Sequence, residues 1–326
     1  TLLYAIMRID LCLPCNTTPN KFIDLVTAAE DTGFEAVWLA DMGLLQHDVF
    51  VYLTLAALHT KKIWLGACVH HPFVRHPAIT LNGIASVNTI SHGRAAFGIG
   101  IGSGHVVRPL GLRAATVAEM REILVSSRQL MSGETVTNRN SVAQLVQAQI
   151  SNDRIRPMPL FLAATGPKML SLGGELADGV FAHVGLDPIV LETARSYYES
   201  GASSKQKFTD TPTFSPFVHG SINAERKIAR DECHRGALNM LLRGKRYLPL
   251  LETTAKELDE IRNHSKVSPR LVEALTFSGT VDDCARQLDR ISSIGIDHLT
   301  LYAVGNTPHL MIDAFQNGLM AHAKTL

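Results

Sequence analysis

The stretch Phe161–Val180, FLAATGPKMLSLGGELADGV, contains the alternation that decides the fold. An apolar run ends near Ala164, a Thr-Gly-Pro turn follows, and a helical pattern leads into a second apolar run. Gly166 permits close approach of the backbone, and Pro167 suits the first helical position, where its missing N–H costs no hydrogen bond. The stretch predicts strand, turn, helix and strand, with free amides at the helix start that form an anion site. An ordinary strand-to-helix connection has the same sequence, so the rest of the chain must decide.

The same alternation extends along the chain, in which short apolar runs alternate with helical segments. The runs include AIMRIDLCLP, FEAVWLAD, IWLGACVHHP, RAAFGIGIG and GVFAHVG. About eight strands alternating with helices indicate parallel pairing and predict an α/β fold, a closed (β/α)8 TIM barrel. A doubly wound open sheet is the competing fold, but no early turn carries the pattern G-x-G-x-x-G. We predict a single barrel domain over residues 1–326, with an excursion at about 133–157 and a helical insertion at about 224–274.

The composition is that of an ordinary globular protein. Of 326 residues, 46% are hydrophobic and 19% charged, which is enough to bury one large core or two modest ones. The 31 basic and 30 acidic side chains nearly balance, so no global field favours nucleic acid or a membrane surface as a partner. The cysteines are odd in number and scattered, unlike a disulfide framework, so we expect a cytoplasmic protein.

Two local patterns suggest other chemistry. Cys12 and Cys15 have the spacing of a redox pair, but they end a predicted strand instead of opening a helix, where amides would depress a thiol pKa. His70, His71 and His76 might suggest zinc in HHPFVRH, but adjacent residues at a strand end point to opposite sides. We therefore expect no metal site and treat redox chemistry as a weaker alternative.

In a (β/α)8 barrel, functional residues lie where strands end and loops begin. These ends are rich in glycine and histidine, and Asp41 is their one acid. They comprise Pro14, Asp41, 68–72, 98–104, 163–166, His183, His219 and 302–305. This set disfavours paired-carboxylate glycosidase chemistry and divalent-metal chemistry, both of which require more acids or convergent ligands.

Five segments, in order along nearly the whole chain, resemble the luciferase-like family of flavin-dependent and deazaflavin-dependent enzymes. The segments are AAEDTGFEAVWLAD, LGACVHHPFVRHPAIT, ISHGRAAFGIGIGSG, ATGPKMLSLGGELADGV and FSGTVDDCARQLDRISSIGIDHLTLY. They look most like the branch that uses coenzyme F420, which includes methylenetetrahydromethanopterin reductase and F420-dependent dehydrogenases. The resemblance implies a (β/α)8 barrel and a homodimer.

The resemblance also implies which residues bind the cofactor. In the family, the phosphate is held at the turn and helix start that correspond to Ala164, Thr165, Gly166, Pro167 and Met169, in agreement with the anion site described above. Next to the ring or the ribityl chain we expect a second glycine loop and two strand ends, comprising Ile101, Gly102, Ser103, Asp41, Cys68 and Val69. By the same resemblance, the bond between Cys68 and Val69 is expected to be a cis peptide behind the ring.

The positions that usually handle protons depart from the family pattern. Related F420 enzymes carry Asp-His where this chain has Asp41-Met42, and a Glu or Asp where it has Ser103. Methionine and serine do not exchange protons near neutral pH. The proton must then pass through another group at the barrel mouth.

Five histidines are candidates for this role: His47, His70, His71, His183 and His219. We predict His70 as the catalytic acid or base, turned towards the open face of the ring, because an imidazole titrates near the working pH. His47 ranks second, on the loop after Asp41, and His71 is expected to face the barrel wall.

The expected function is an F420-dependent oxidoreductase that passes hydride between C5 of the deazaflavin and a small-molecule substrate. An FMN-dependent luciferase-like monooxygenase is the alternative, and a flavin-binding protein without catalysis is the third interpretation. Spectra of the protein mixed with F420 and with FMN would separate the first two.

Overall fold

The computed structural model describes residues 6–139, 142–151, 158–202, 213–305 and 308–326. Its strands, in chain order, are β1 (Arg8–Pro14), β2 (Ala36–Ala40), β3 (Trp64–Ala67), β4 (Ala95–Ile99), β5 (Val136–Asn138), β6 (Leu145–Ala148), β7 (Leu160–Ala164), β8 (Gly179–Ala182), β9 (Thr213–Ile222), β10 (Phe277–Gly279) and β11 (His298–Ala303).

Eight of the strands in the described ranges form a closed parallel barrel. Their order is β1, β2, β3, β4, β7, β8, β9 and β11, and β11 pairs with both β9 and β1 to close the ring. The predicted (β/α)8 fold is confirmed. Because all carboxyl ends meet at one face, the residues that follow each strand are brought together there.

Helices follow the strands and cover the outside of the barrel. They are α1 (Pro19–Thr32), α2 (Val49–His59), α3 (Pro77–Ile90), α4 (Gly104–Val107), α5 (Val117–Met131), α6 (Pro167–Leu176), α7 (Pro188–Ala202), α8 (Arg226–Arg243), α9 (Ala255–His264), α10 (Pro269–Leu275), α11 (Val281–Ser292), α12 (Pro308–Ala314) and α13 (Met320–Ala323). Local sequence explains several of the starts. Proline opens α1, α3, α6 and α10, and capping boxes begin α5, α9 and α11.

The barrel interior is packed with aromatic side chains that form the floor beneath the site. Trp38 lies edge-on to Phe161 and Phe181, with ring centroids 5.2 and 4.8 Å apart. Small residues make room for this cluster, since a Cβ on Gly66 would lie 2.4 Å from the Trp38 ring. The Trp38 Nε1–H donates to the buried Asp10 carboxylate at 2.7 Å. The floor is therefore fixed by packing and by a buried hydrogen bond.

The two predicted departures from the simple barrel contain regular structure. The excursion at 133–157 includes the antiparallel pair β5 and β6, while 140–141 and 152–157 lie outside the described residues. The insertion at 224–274 includes α8, a 3-10 turn at Lys245–Tyr247, α9 and most of α10. The end of α8 lies at the barrel mouth, so the insertion contributes to the site.

All five cysteines are free thiols. Burial raises the pKa of Cys15 to about 12, the opposite of what a redox pair requires. The structure gives the C-x-x-C redox interpretation no support. Of the helices in the described ranges, none is both long and apolar enough to cross a membrane.

Candidate active site

A cavity of about 960 Å³ opens at the carboxyl ends of the strands. Its volume is near the upper end of the range for small-molecule sites. All of the predicted cofactor residues line it: Asp41, Cys68, Val69, Ile101, Gly102, Ser103, Ala164, Thr165, Gly166, Pro167 and Met169. The structure thus brings together residues from four strand ends that are far apart in sequence. Their contact with a cofactor stays a prediction.

The start of α6 forms an anion cradle, by which we mean Gly166, the first-turn amides that follow it, and Arg246. Gly166 is the N-cap residue, with φ −98° and ψ 159°, and no side chain caps the helix. A Cβ on Gly166 would lie only 3.2 Å from Nη1 of Arg246. The Tyr247 hydroxyl donates to the Thr165 carbonyl at 2.7 Å, which ties the 3-10 turn to the helix start. Amides and a guanidinium therefore face the same space.

The second glycine loop has a left-handed residue at its centre. Gly102 has φ +100°, and a Cβ there would lie 2.9 Å from Val107. Next to it, Ser103 Oγ accepts a hydrogen bond of 3.0 Å from Arg243 Nη2. The Cys68–Val69 bond is cis, as expected. A Cβ on Gly100 would meet Val69 at 2.8 Å, so this glycine lets the two strand ends approach.

Asp41 is held at the cavity wall by the two histidines that follow β3. Nδ1 of His70 donates to Asp41 Oδ2 at 2.9 Å, and Nε2 of His71 donates to the Asp41 carbonyl at 2.8 Å. Burial opposes the ionised carboxylate, but the hydrogen bond from His70 and the electrostatic effects of His70, His71 and Arg75 together outweigh it and hold the pKa of Asp41 below its usual range. Asp41 is therefore a fixed negative charge.

The orientations predicted for His70 and His71 are wrong. The His70 side chain is 1% exposed and stacks on Phe50 with ring centroids 5.0 Å apart, and it does not line the cavity, whereas His71 does. The physical reason is strand pairing. The His70 amide donates to the Gly98 carbonyl and its carbonyl accepts from the Gly100 amide, so the pairing with β4 continues through His70. Its side chain therefore points outward, and alternation turns His71 inward.

His47, the second catalytic candidate, also lies outside the cavity. Its side chain is exposed and stacks on Tyr52, with ring centroids 5.3 Å apart. Its backbone amide donates to the Cys15 carbonyl at 3.0 Å, which fixes the position of His47 in the loop after Asp41. Neither of the two predicted catalytic histidines therefore lines the cavity.

Two histidines that sequence reasoning named but did not select line the cavity instead. His183 follows β8 and His219 lies in β9, with ring centroids 5.9 Å apart. Burial, with smaller effects of His219 and the Arg243 charge, lowers the pKa of His183 to about 3. Burial and the Arg243 charge lower the pKa of His219 to about 4. Both imidazoles are therefore neutral at pH 7.

The end of α8 and the turn after it supply residues that sequence reasoning missed. Asn239, Arg243 and Arg246 line the cavity. In NMLLRGKR, the four-residue spacing of Asn239 and Arg243 places both on one face of α8, which was the available signal, and Arg246 follows in the 3-10 turn. In the described part of the chain neither arginine has a carboxylate partner. The positive charges of Lys168 and the two arginines outnumber the negative charge of Asp41, so the cavity attracts anions.

The described ranges contain no cluster of three or more histidine, cysteine or acidic side chains arranged to hold a metal ion. The polar groups of the cavity are instead suited to an organic ligand with negative charge. Glycine backbone at Gly102 and Gly166 leaves room for a flat ring and a phosphate, and the arginines supply positive charge.

Comparisons with known proteins agree with this geometry. The family model described as luciferase-like monooxygenase matches residues 7–298. The 5,10-methylenetetrahydromethanopterin reductase of Archaeoglobus fulgidus is 28% identical over 291 residues, which cover 83% of this chain and 86% of that protein. The F420-dependent glucose-6-phosphate dehydrogenase of Amycolatopsis mediterranei is 21% identical over 333 residues, with 94% and 96% covered. The solved coenzyme F420-dependent tetrahydromethanopterin reductase from Methanopyrus kandleri has a TM-score of 0.81 at 23% identity, with 98% and 100% covered.

Proposed function

Because the chain belongs to the luciferase-like monooxygenase family, we propose that it is an F420-dependent oxidoreductase that transfers hydride between C5 of the deazaflavin and a small organic substrate. The relative from Amycolatopsis is named as F420-dependent, and the relative from Archaeoglobus is named as a reductase. The observation that carries the proposal is the anion cradle of Gly166 and Arg246, which lies in the same cavity as the cis Cys68–Val69 bond and Gly102.

The residues of the cavity fit such a cofactor. The anion cradle would hold the phosphate, with Lys168 at its rim, and the ring would lie between the β3 end and the glycine loop. Bound F420 supplies or accepts a hydride at C5. The chain contributes binding, orientation and a largely apolar wall that limits water.

We assign His70 a positioning role in place of the predicted catalytic one. Its Nδ1–H holds the Asp41 carboxylate at 2.9 Å, and its stacking on Phe50 fixes the ring. Asp41 then keeps its charge at the cavity wall beside the cofactor residues. His70 acts on the site through Asp41 because its own side chain does not reach the cavity.

The decisive experiment is a titration of the purified protein with F420 and with FMN, followed by fluorescence and absorbance. Tighter binding of F420 supports the proposal, and tighter binding of FMN favours the monooxygenase of the same fold. Transfer of isotope from the reduced cofactor to a product then separates an enzyme from a binding protein without catalysis. Arg246→Gln should weaken whichever cofactor binds, since both carry a phosphate.

We further propose that the chain forms a homodimer through α2 and α3 and acts in the cytoplasm. The sequence of α2, VFVYLTLAALH, is apolar around nearly its whole circumference, a pattern typical of a helix that is covered on all sides. Val51 and Leu58 on α2 are 58% and 65% exposed, and Ile79 on α3 is 61% exposed. A second copy packed on this surface would cover them.

A further inference from the structure

The wall of the cavity opposite the predicted ring site has its own polar groups. In the closed order of eight strands, β9 lies four positions from β3 in either direction, so His219 faces the Cys68–Val69 end across the barrel. By the same count, His183 lies opposite Asp41. A ring placed against the β3 end would turn its other face towards His219. We call His183, His219, Asn239 and Arg243 the opposite wall, from which the Arg243 guanidinium reaches Ser103 of the glycine loop at the edge of the predicted ring site.

His219 is fixed in position, and its ring nitrogen Nε2 is on the edge away from α8. Its Nδ1 is buried without a hydrogen-bond partner, and a Cβ on Gly236 of α8 would lie 2.4 Å from its Cγ and 2.7 Å from Nδ1. The helix backbone therefore packs against this edge of the ring. Nε2 is on the other edge, and His219 lines the cavity. A neutral imidazole with a free nitrogen forms hydrogen bonds with an uncharged carbonyl or hydroxyl oxygen.

Arg243 places a positive charge beside this imidazole. Its Nη2–H donates to Ser103 Oγ, and its charge lowers the pKa of both His183 and His219. Among the described residues it has no carboxylate partner, and Ser103 accepts just one of its five N–H groups. The anion cradle is a separate place, because the guanidinium that lies against Gly166 belongs to Arg246. Arg243 is therefore available to a second anion.

We propose that the opposite wall binds the substrate, and that the substrate is a small carboxylate with a carbonyl or hydroxyl on the carbon that reacts. Arg243 pairs with the carboxylate, and Nε2 of His219 forms a hydrogen bond with the reacting oxygen. This assignment rests on the proposed function. A guanidinium and a carboxylate form two parallel hydrogen bonds, so the pair fixes orientation as well as position.

The redox step balances for a 2-oxo acid. The carbonyl carbon gains the hydride that the reduced cofactor loses, and the C–O π electron pair moves to the oxygen. That oxygen takes the proton that is the second hydrogen of the reduced cofactor, so the products are the 2-hydroxy acid and the oxidised cofactor. Hydrogen bonding from His219 stabilises the negative charge that develops on the oxygen. Neither Met42 nor Ser103 is required to move a proton.

The test compares three probes of matched size at two lengths, with the protein saturated with oxidised F420 so that no ketone is reduced. The short set is pyruvate, propanoate and acetone, which have three carbons each, and the long set is 2-oxohexanoate, hexanoate and 2-hexanone, which have six. Dissociation constants are measured by calorimetry. We expect at least one 2-oxo acid to bind about tenfold or more tightly than both of its matched probes, since it makes both contacts. Equal binding of the oxo acids and the ketones would overturn the proposal.

Variants assign the contacts. Arg243→Gln should weaken binding of the oxo acid by roughly 10- to 100-fold and leave binding of the ketone unchanged. Arg235 is an exposed arginine on the same helix, and Arg235→Gln should change the affinity for neither probe. His219→Leu should lower the affinity for the oxo acid to that for the acid without the oxo group. His219→Gln should restore part of the difference between these two affinities. Gly236→Ala, outside the cavity, should act like His219→Leu because its Cβ displaces the ring.

The outcomes separate this proposal from the proposed function. If Arg243→Gln weakens F420 as much as Arg246→Gln does, Arg243 serves the cofactor phosphate and the proposal is wrong. If the parent protein binds neither F420 nor FMN, the proposed function fails. The probes are then compared on the protein alone by thermal shift, where preference for the oxo acid that depends on Arg243 supports the opposite wall and its absence refutes it.

Discussion

The substitution Gly166→Val tests the anion cradle directly. The backbone of Gly166, with φ −98° and ψ 159°, is in the extended region that every residue adopts, so a valine there causes no backbone strain. The obstacle is Arg246, because a Cβ at this position would lie 3.2 Å from Nη1 and 3.3 Å from Cζ, and the two valine methyl groups extend further. The guanidinium must move away from the helix start.

The expected loss follows from the interaction that is removed. A hydrogen bond that involves a charged group contributes about 1.5–3 kcal/mol, which corresponds to a roughly 10- to 150-fold increase in the dissociation constant of F420. Gly166→Ala should lie between parent and valine, since its single Cβ requires Arg246 to move by only a few tenths of an ångström. Arg246→Gln should weaken binding by a similar amount.

A double-mutant cycle gives the sharpest measurement. If valine acts by displacing Arg246, the variant that combines Gly166→Val with Arg246→Gln should bind F420 little worse than either single variant. Fluorescence titration gives the affinities, and thermal unfolding confirms that each variant is folded. Parent-like affinity in Gly166→Val would place the phosphate elsewhere, and strictly additive losses would mean that the glycine and the arginine act on it independently.

Three further predictions concern other parts of the molecule. His70→Leu should raise the pKa of Asp41, so that F420 affinity changes at a higher pH than it does in the parent protein. His70→Asn should preserve part of the parent pH profile. Because burial holds the pKa of His183 at about 3 and of His219 at about 4, against about 6.5 when unfolded, the unfolded chain binds more protons between these values. The free energy of unfolding is then highest above pH 6.5 and falls as pH drops towards 3. Urea unfolding at pH 7, 6 and 5 measures this dependence, and the free energy should change less steeply with pH in His183→Gln. Val51→Lys should convert a dimer to a monomer in light scattering, and Ile189→Lys, also an exposed apolar residue, should not.

The barrel and most of its mouth could be predicted because they depend on local features. Strand and helix alternate with clear turn residues, and parallel strands place all of their carboxyl ends on one face. Once the strand ends are known, residues such as Asp41, Gly102 and Gly166 are assigned to one cavity without knowledge of side-chain packing. The resemblance then gave these positions their expected roles.

The features that sequence reasoning missed depend on tertiary packing. The end of α8 and the 3-10 turn after it are held at the mouth by the packing of Gly236 on His219 and by the hydrogen bond from Tyr247 to Thr165. No periodicity in the helix shows either contact. Likewise, His70 points outward because strand pairing extends past the end of β3, by one bridge to Ile99. A shift of one residue in the predicted strand end moves every following side chain to the opposite face of the strand. This is why the orientations predicted for His70 and His71 are the reverse of those observed.

The arrangement of charge in the cavity gives a reason for the neutral histidines. Asp41 stays ionised on one side, and Arg243 lies by the opposite wall, where His183 faces Asp41 across the barrel. The carboxylate of an anionic substrate is stabilised near Arg243 and repelled near Asp41. The electric field of the cavity therefore favours one orientation of the substrate. If His219 carried a charge, it would compete with Arg243 for the carboxylate and the orientation would be lost. A neutral imidazole leaves the carboxylate to the guanidinium and bonds to the uncharged oxygen, which places the reacting carbon towards the ring.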